Sequence, residues 1–507
     1  MSSTDSNTEY SKQNKAFLVS ALLEKERKLE EKEQEIARLQ HILYKLQKGE
    51  YGSKSEKYQI EDSKTLALPG FESEPEVPQQ TKALEVKAHS RESRKPRDLS
   101  SLPKVIIPCD IEDKKCTCCG TELVNIGTDS SQELEYQPAK LFINVYVRPK
   151  YACNNCKESG VLQASLPKEA KPLERSLAGA GLLTQIVVSK YVDHIPLHRQ
   201  EQIFERKGVP IPRYQMSDWV AGVTEEYFKP SYLEHLKILL QDSYLQADET
   251  SIKVQDENVQ GKCHQGYLWG ACSPVAKTVA FVYSPSRAGA VAEQIFEGFK
   301  GHIQTDLYAG YNKVILPNQV TRLACLAHVR RKFIEAAKVH PKETDIILKM
   351  FSRLYKNEST WKNLAPDDLF LKRQSDSVPI LAALKKYLDD LVTKTLPKAP
   401  LATALSYTLS QWQAIEAIFE DPRFHLDNNM IERQIRPIAL GRKNYLFAGS
   451  HEGAKRAAII YSMFGTAKLH NVNPAAWLKH LLQNLRSNKK QNLIDMLPQN
   501  WIKLAAT

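Results

Sequence analysis

The chain has 507 residues, 42% of them hydrophobic and 25% charged, a composition that excludes wholesale disorder and collagen-like fibres. Lysine and arginine exceed aspartate and glutamate by 11, so a polyanion is the expected partner, with nucleic acid foremost. No run nears the ~18 consecutive apolar residues of a membrane span, and Met1 to Asn7 lacks the apolar core of a secretory leader, so a cytoplasmic protein without membrane contact is expected.

Residues 1–50 are expected to form a coiled coil. Leu22, Leu29, Ile36 and Leu43 recur every seven residues, and Leu18, Leu39 and Leu46 fit the second seam position, with Lys25 and Lys32 completing it. Such a seam needs a partner, so self-association is expected. Residues 51–104 read as a largely disordered linker, in which Pro69, Pro75, Pro78, Pro96 and Pro103 punctuate Ser-, Glu- and Lys-rich sequence.

Six of the nine cysteines fall between residues 109 and 156. Cys116 and Cys119 form one CxxC pair, Cys153 and Cys156 another, with 33 residues between the pairs. Two such knuckles at the ends of a hairpin can hold one zinc ion tetrahedrally at about 2.3 Å per sulfur. Redox CxxC motifs come singly beside a βαβ unit, which is lacking here. The interval exceeds the usual ~15–20 residues, so the hairpin must be long or carry an insert. Cys118 competes as a ligand but has the poorer spacing. A small β zinc-binding module over 105–165 is expected, closed and structural.

Residues 166–240 read as helical. Leu182 to Tyr191, His198 to Lys207 and Tyr214 to Val223 are the helices, with Gly208 at the turn before the third. A helix-turn-helix fits, with Arg213 at the start of the third helix where base edges would be met. An ordinary helical packing module fits equally well.

From 241 the pattern changes. Tyr244–Ala247, Tyr267–Cys272, Val279–Tyr283 and His302–Thr305 are β-like, and Arg287–Phe299 is helical between the last two. Asp248 ends the first run and Asp306 the last, while Glu432 lies on a later helix whose face holds Asn428, Asn429 and Arg436. That order is the layout of a ribonuclease-H-like sheet, where the two aspartate strands lie adjacent. Three converging carboxylates repel unless divalent cations separate them. Two Mg²⁺ (or Mn²⁺) ions about 3.5–4 Å apart would clamp the attacking and leaving oxygens of a phosphodiester. Glu249 should point to the opposite sheet face, and Asp427 reads as a helix N-cap. Around these acids, His328, Arg330, Arg331, Lys332, Arg433, Arg436, Arg442 and Lys443 are candidate phosphate contacts, with salt bridges as the ordinary alternative. The expected core thus comprises residues 241–340 and the glutamate helix in 425–470, around a helical stretch over 341–424, with a C-terminal helical segment over 471–507.

Several stretches resemble the transposases of the insertion sequence 66 family. They are residues 51–57 after the zipper, Arg148 to Cys153 leading into the second knuckle, and Ser189 to Gln200. They continue with Ala247 to Thr250, Thr305 to Tyr311, Asp427 to Arg433, and Gly441 to Asn444. Leu307 stands where that family usually has Gly, and Leu326 where it often has Trp. The resemblance implies a DDE transposase whose ribonuclease-H-like core is interrupted by a helical insertion before the glutamate, with Asp248, Asp306 and Glu432 as the metal-binding triad. The expected architecture is α/β and multidomain, with coiled coil, zinc module and helical DNA-binding module preceding that core. The expected function is cleavage of the element's ends and strand transfer into target DNA, with small companion proteins of the same element as candidate partners. The alternatives are a non-catalytic DNA-binding regulator and a metal-dependent nuclease without strand transfer.

Overall fold

The computed structural model describes residues 103–137, 140–155, 160–167, 170–174, 176–256, 261–318, 320–485 and 493–505, together with Glu24, Lys25, Arg27, Lys28 and Lys32. Those five are helical, and the rest of the heptad, like the linker, lies outside the described residues. Contacts divide the chain after Ser101, and the architecture below is that of Leu102–Thr507.

The first sheet holds the cysteines. β1 (Lys104–Pro108) runs parallel to β3 (Lys140–Ala152), β2 (Val124–Gln137) pairs antiparallel with β3, and β4 (Val161–Gln163) adds to the far end of β3. The 33-residue interval between the knuckles is therefore a long hairpin, in register from Val124↔Ala152 to Gln137↔Lys140 apart from one bulge at Asn125/Gly127.

Four helices follow: α1 (Ala180–Tyr191), α2 (Leu197–Arg206), α3 (Arg213–Val223) and α4 (Lys229–Leu240). Gly208, at φ +78°, makes the turn after α2, a left-handed conformation that favours glycine. A π-helical turn, Thr224–Phe228, joins α3 to α4 without a break.

The second sheet is mixed. β5 (Tyr244–Gln255), β6 (Cys263–Ser273) and β7 (Thr278–Ser284) form an antiparallel meander, α5 (Gly289–Ile295) crosses over, and β8 (His302–Gln304) returns parallel to β5. After α6 (Asn312–Asn318), β9 (Thr321–Leu323) adds parallel to β8, giving the order β7-β6-β5-β8-β9. The sequence reading did not include β9, whose three residues carry no alternation of their own.

Then come α7 (Leu326–Ala336), α8 (Pro341–Thr360), α9 (Pro366–Lys372), α10 (Val378–Lys394), α11 (Pro400–Leu409) and α12 (Trp412–Glu416). Prolines that look like breakers in the sequence stand in the first turn of α8, α9, α10 and α11, where the missing N–H has no helical partner anyway. All of these helices but α9 share an apolar cluster that includes Phe333, Ile347, Phe351, Leu384, Leu405 and Trp412. The chain returns at Leu426, whose carbonyl accepts the Leu326 N–H at 2.9 Å. It continues through α13 (Asn429–Tyr445), α14 (His451–Leu469), α15 (Pro474–Asn484) and α16 (Pro498–Ala505).

The outer edge of β7 is occupied by side chains at Val279 and Phe281. Its Val279 and Phe281 N–H groups donate to the hydroxyls of Thr466 (3.1 Å) and Ser462 (2.7 Å) on α14. The carbonyls of the same two residues bond the His235 imidazole and the Tyr232 hydroxyl of α4, each at 3.0 Å. A bare edge would be a template for pairing with another strand, and this one is closed.

Candidate active site and zinc centre

Gln246 of β5 pairs with Gln304 of β8 in parallel register, and Asp248 and Asp306 each stand two residues farther on. This shared offset gives the two aspartates matching positions on neighbouring strands, although Asp248 does not end its strand as the sequence suggests: β5 runs on to Gln255 in its pairing with β6, whereas Asp306 lies just past β8. Opposite Asp248 on β6 is Gly270. A Cβ there would come within 2.9 Å of Ile431 Cδ1 and 2.8 Å of Phe281 Cε1, so the bare glycine lets the start of α13 settle onto the sheet.

Two buried amides join this helix to both strands. Gln246 Nε2 donates to Gln304 Oε1 (3.0 Å) and to the Asp427 carbonyl (2.9 Å), while its Oε1 accepts from the Ile431 N–H (3.4 Å). Gln304 Nε2 donates to the carbonyls of Ala324 (2.9 Å) and His425 (2.7 Å). The Tyr244 hydroxyl donates to Gln304 Oε1 (2.6 Å) and accepts from the His425 N–H (3.1 Å). The segment carrying Glu432 is thus fastened immediately below the aspartates. Asp427 Oδ1 accepts the Asn429 N–H at 3.2 Å, which is a capping contact.

Burial pushes the Asp248 carboxyl up to about 8, and the negative charges of Glu249, Glu432 and Asp306 push the same way. Asp248 Oδ1 accepts the Glu249 N–H (2.8 Å), and Asp306 Oδ1 accepts the Tyr308 N–H (3.0 Å). His328 Nε2 lies 3.9 Å from Glu432 Oε1, and the Arg322 guanidinium donates to the Asp306 carbonyl. Glu249 is engaged elsewhere, accepting from Arg287 Nε (2.8 Å) and the Tyr311 hydroxyl (2.9 Å).

The candidate basic residues have separate placements. Arg433, Arg436 and Lys443 are exposed on α13, whereas Arg442 is turned onto β5, donating to Ser251 Oγ at 3.0 Å. Arg330, Arg331 and Lys332 are part-buried on α7, with Lys332 Nζ 5.5 Å from the Tyr407 ring centre. Arg213 opens α3 exposed, its backbone N–H bonded to Glu201.

In the first sheet, the ligand atoms of Cys116, Cys119 and Cys153 all lie within 4.8 Å of one another, with the last two sulfurs 3.5 Å apart. Cys156 lies outside the described residues. Backbone N–H groups of Cys119 and Cys118 draw the Cys116 thiol down to about 6, which favours the thiolate that binds metal. Three soft sulfurs at this spacing fit zinc. Among the described residues no other trio of Asp, Glu, His or Cys reaches this spacing, so the carboxylates stand wider apart than the close approach expected of them. Each aspartate is drawn towards a neighbouring backbone N–H, and like charges repel.

The sequence pattern of the Transposase IS66 family matches residues 175–456, more than half of the chain. The chain belongs to that family. The zinc-finger binding domain of transposase IS66 matches residues 113–157 of this transposase, and the IS66 C-terminal element matches 462–499. Two uncharacterized proteins of Sinorhizobium fredii are similar over most of their length. One, y4jD, is 32% identical over 80% of this chain and 82% of its own. The other, y4qI, is 31% identical over 92% of this chain and 89% of its own.

Sequence reasoning missed the glutamines and Arg322. The glutamines had a signal, since Gln-x-Asp occurs at both 246–248 and 304–306. Arg322 had none, because β9 went unread.

Proposed function

We propose that this transposase cuts and joins DNA by metal-dependent phosphoryl transfer at Asp248, Asp306 and Glu432 on a ribonuclease-H-like core. The observation that carries the reading is the matched offset of the two aspartates on neighbouring parallel strands, with Gln246 and Gln304 tying the glutamate helix beneath them. The strand order, a three-stranded meander extended by two parallel strands, supports the core assignment. A set of hard carboxylate oxygens suits Mg²⁺ or Mn²⁺, and the repulsion that raises the Asp248 carboxyl is what a divalent cation offsets. Bound there, such ions would stabilise charge on the attacking and leaving oxygens of a phosphodiester. The chain itself supplies positioning: exposed Arg433 and Arg436 extend from the Glu432 helix towards backbone phosphates, and His328 stands 3.9 Å from the Glu432 carboxylate, within reach of a phosphate beside it. Helices α1–α3 serve as a DNA-binding module with Arg213 at the contact. Cys116, Cys119, Cys153 and Cys156 hold one structural zinc.

The test is a supercoiled plasmid carrying the element's ends, incubated with Mg²⁺. Asp248→Asn, Asp306→Asn and Glu432→Gln should each abolish cleavage while leaving DNA binding intact, and slightly tighter for Asp306→Asn and Glu432→Gln, which remove negative charge near phosphate. Wild-type protein that binds DNA but neither cuts nor joins it would leave a DNA-binding regulator. Cutting without joining would leave a nuclease.

A further inference from the structure

A second polar pocket lies between the helical module and the β5 sheet. It measures about 250 Å³ and is lined by Lys190 of α1, Ser217 of α3, and Gly449, Ser450, Gly453 and Arg456 around the start of α14, with apolar and tyrosine side chains completing the wall. No aspartate or glutamate lines it. The helix N-terminus is that of a 19-residue helix, so its first-turn N–H groups present partial positive charge. Ser450 already serves Gly453, its hydroxyl accepting that N–H at 3.0 Å.

Lys190 is the second, independent sign. Among the described residues its ammonium has no carboxylate partner, and its Nζ sits 5.2 Å from the Tyr191 ring centre. Burial first, and then the charge of Arg456, bring it down to about 8. A desolvated ammonium facing a guanidinium is a costly arrangement unless an anion sits between them. The nearest acid on α14, Glu452, is exposed and paired with Lys455 at 2.7 Å.

We propose that this pocket binds a backbone phosphate of DNA, gripped by Lys190, Arg456 and the α14 N-terminus. The proposal rests on the DNA-binding part of the function above and not on its carboxylate chemistry. The pocket includes Ile252, four residues along β5 from Asp248, which is about 13 Å of strand. A strand running from the carboxylates would reach the pocket within about four nucleotides, at roughly 3.4 Å of axis each. A phosphate held there would touch the helical module and the core at once, fixing the register of the strand between them.

The experiment measures the affinity of a fluorescent mixed-sequence duplex across a salt series, in chelator, so that it holds or fails independently of metal-dependent cleavage. Lys190→Gln and Arg456→Gln should each weaken binding to every sequence alike and make the log–log salt dependence shallower by about 1. Lys455→Gln, the same charge change on the exposed side of α14, should do much less. Ser217→Asp, at an exposed helix position, should weaken binding by placing a carboxylate at the rim, and covers the case in which a buried substitution disturbs folding. The proposal is overturned if the three pocket variants, folded by circular dichroism, behave like Lys455→Gln. It is equally overturned if inorganic phosphate stabilises the wild type but not Lys190→Gln while the salt slope is unchanged, which would assign the pocket to a small free phosphate.

Discussion

Replacing Gln246 by leucine keeps the side-chain volume but leaves the Asp427 carbonyl and the Ile431 N–H without their partner. Each buried group so stranded costs about 1–3 kcal/mol, so a lower melting temperature is expected together with slower cleavage. Gly270→Ala probes the same support from the opposite side. The added methyl meets Ile431 and Phe281 and pushes on the glutamate helix without touching a carboxylate. A displacement near 1 Å costs on the order of 100-fold in rate, so DNA binding should persist while cleavage falls steeply. Cys119→Ser should lose stoichiometric zinc by elemental analysis and unfold the module, because zinc binding there is coupled to folding. At this scale the sequence was informative where chemistry is local. The CxxC pairs and the two aspartates that follow short β-like runs stand out by residue type and spacing. Lys190 and Arg456 do not, because 265 residues separate them and only the packing of α1 against α14 gives them a shared cavity.

Among the elements, β7 depends on neighbours distant in sequence. Its edge is closed by α4 and α14 through His235, Tyr232, Ser462 and Thr466, so substitutions far away in sequence should act on the strand. The double variant Ser462→Ala with Thr466→Ala should lose stability and aggregate on mild heating, as light scattering would show. Burial holds His235 down to about 4, against about 6.5 when exposed. Between those values the unfolded chain binds a proton that the folded chain excludes, so stability is lost as pH falls from about 6.5 towards 4, by up to about 3 kcal/mol. His235→Gln keeps a donor for Val279 but cannot titrate, so its urea midpoint should fall less than that of wild type between pH 7 and about pH 5. The strands of the meander were legible because β-branched and aromatic residues cluster in them. β8 and β9 are three residues each, and their pairing is set by the elements flanking them. The prolines from 341 to 400 have the look of helix breakers, yet most open helices, since a first-turn residue donates no helical bond.

For the molecule as a whole, deleting residues 1–50 should lower the sedimentation mass if the seam of Leu22, Leu29, Ile36 and Leu43 joins copies, with Lys25 and Lys32 keeping that association modest. The parts drawn together from the widest separations are also those that finish last. Asp306 and Glu432 are 126 residues apart, and the hydroxyls that close β7 come later still. At about 5–20 residues per second, a ribosome adds Glu432 some 6–25 s after Asp306. Throughout that interval Gln246 and Gln304 lack the carbonyls of Asp427 and His425, and the β7 edge stays open. A nascent chain therefore carries both aspartates but not the third carboxylate of the proposed site, and a message cut short before residue 427 yields a product that can neither assemble the three carboxylates nor shield its own sheet. On the proposed triad, completion of translation would thus act as a timer on this protein's chemistry, written into the order of its elements along the chain.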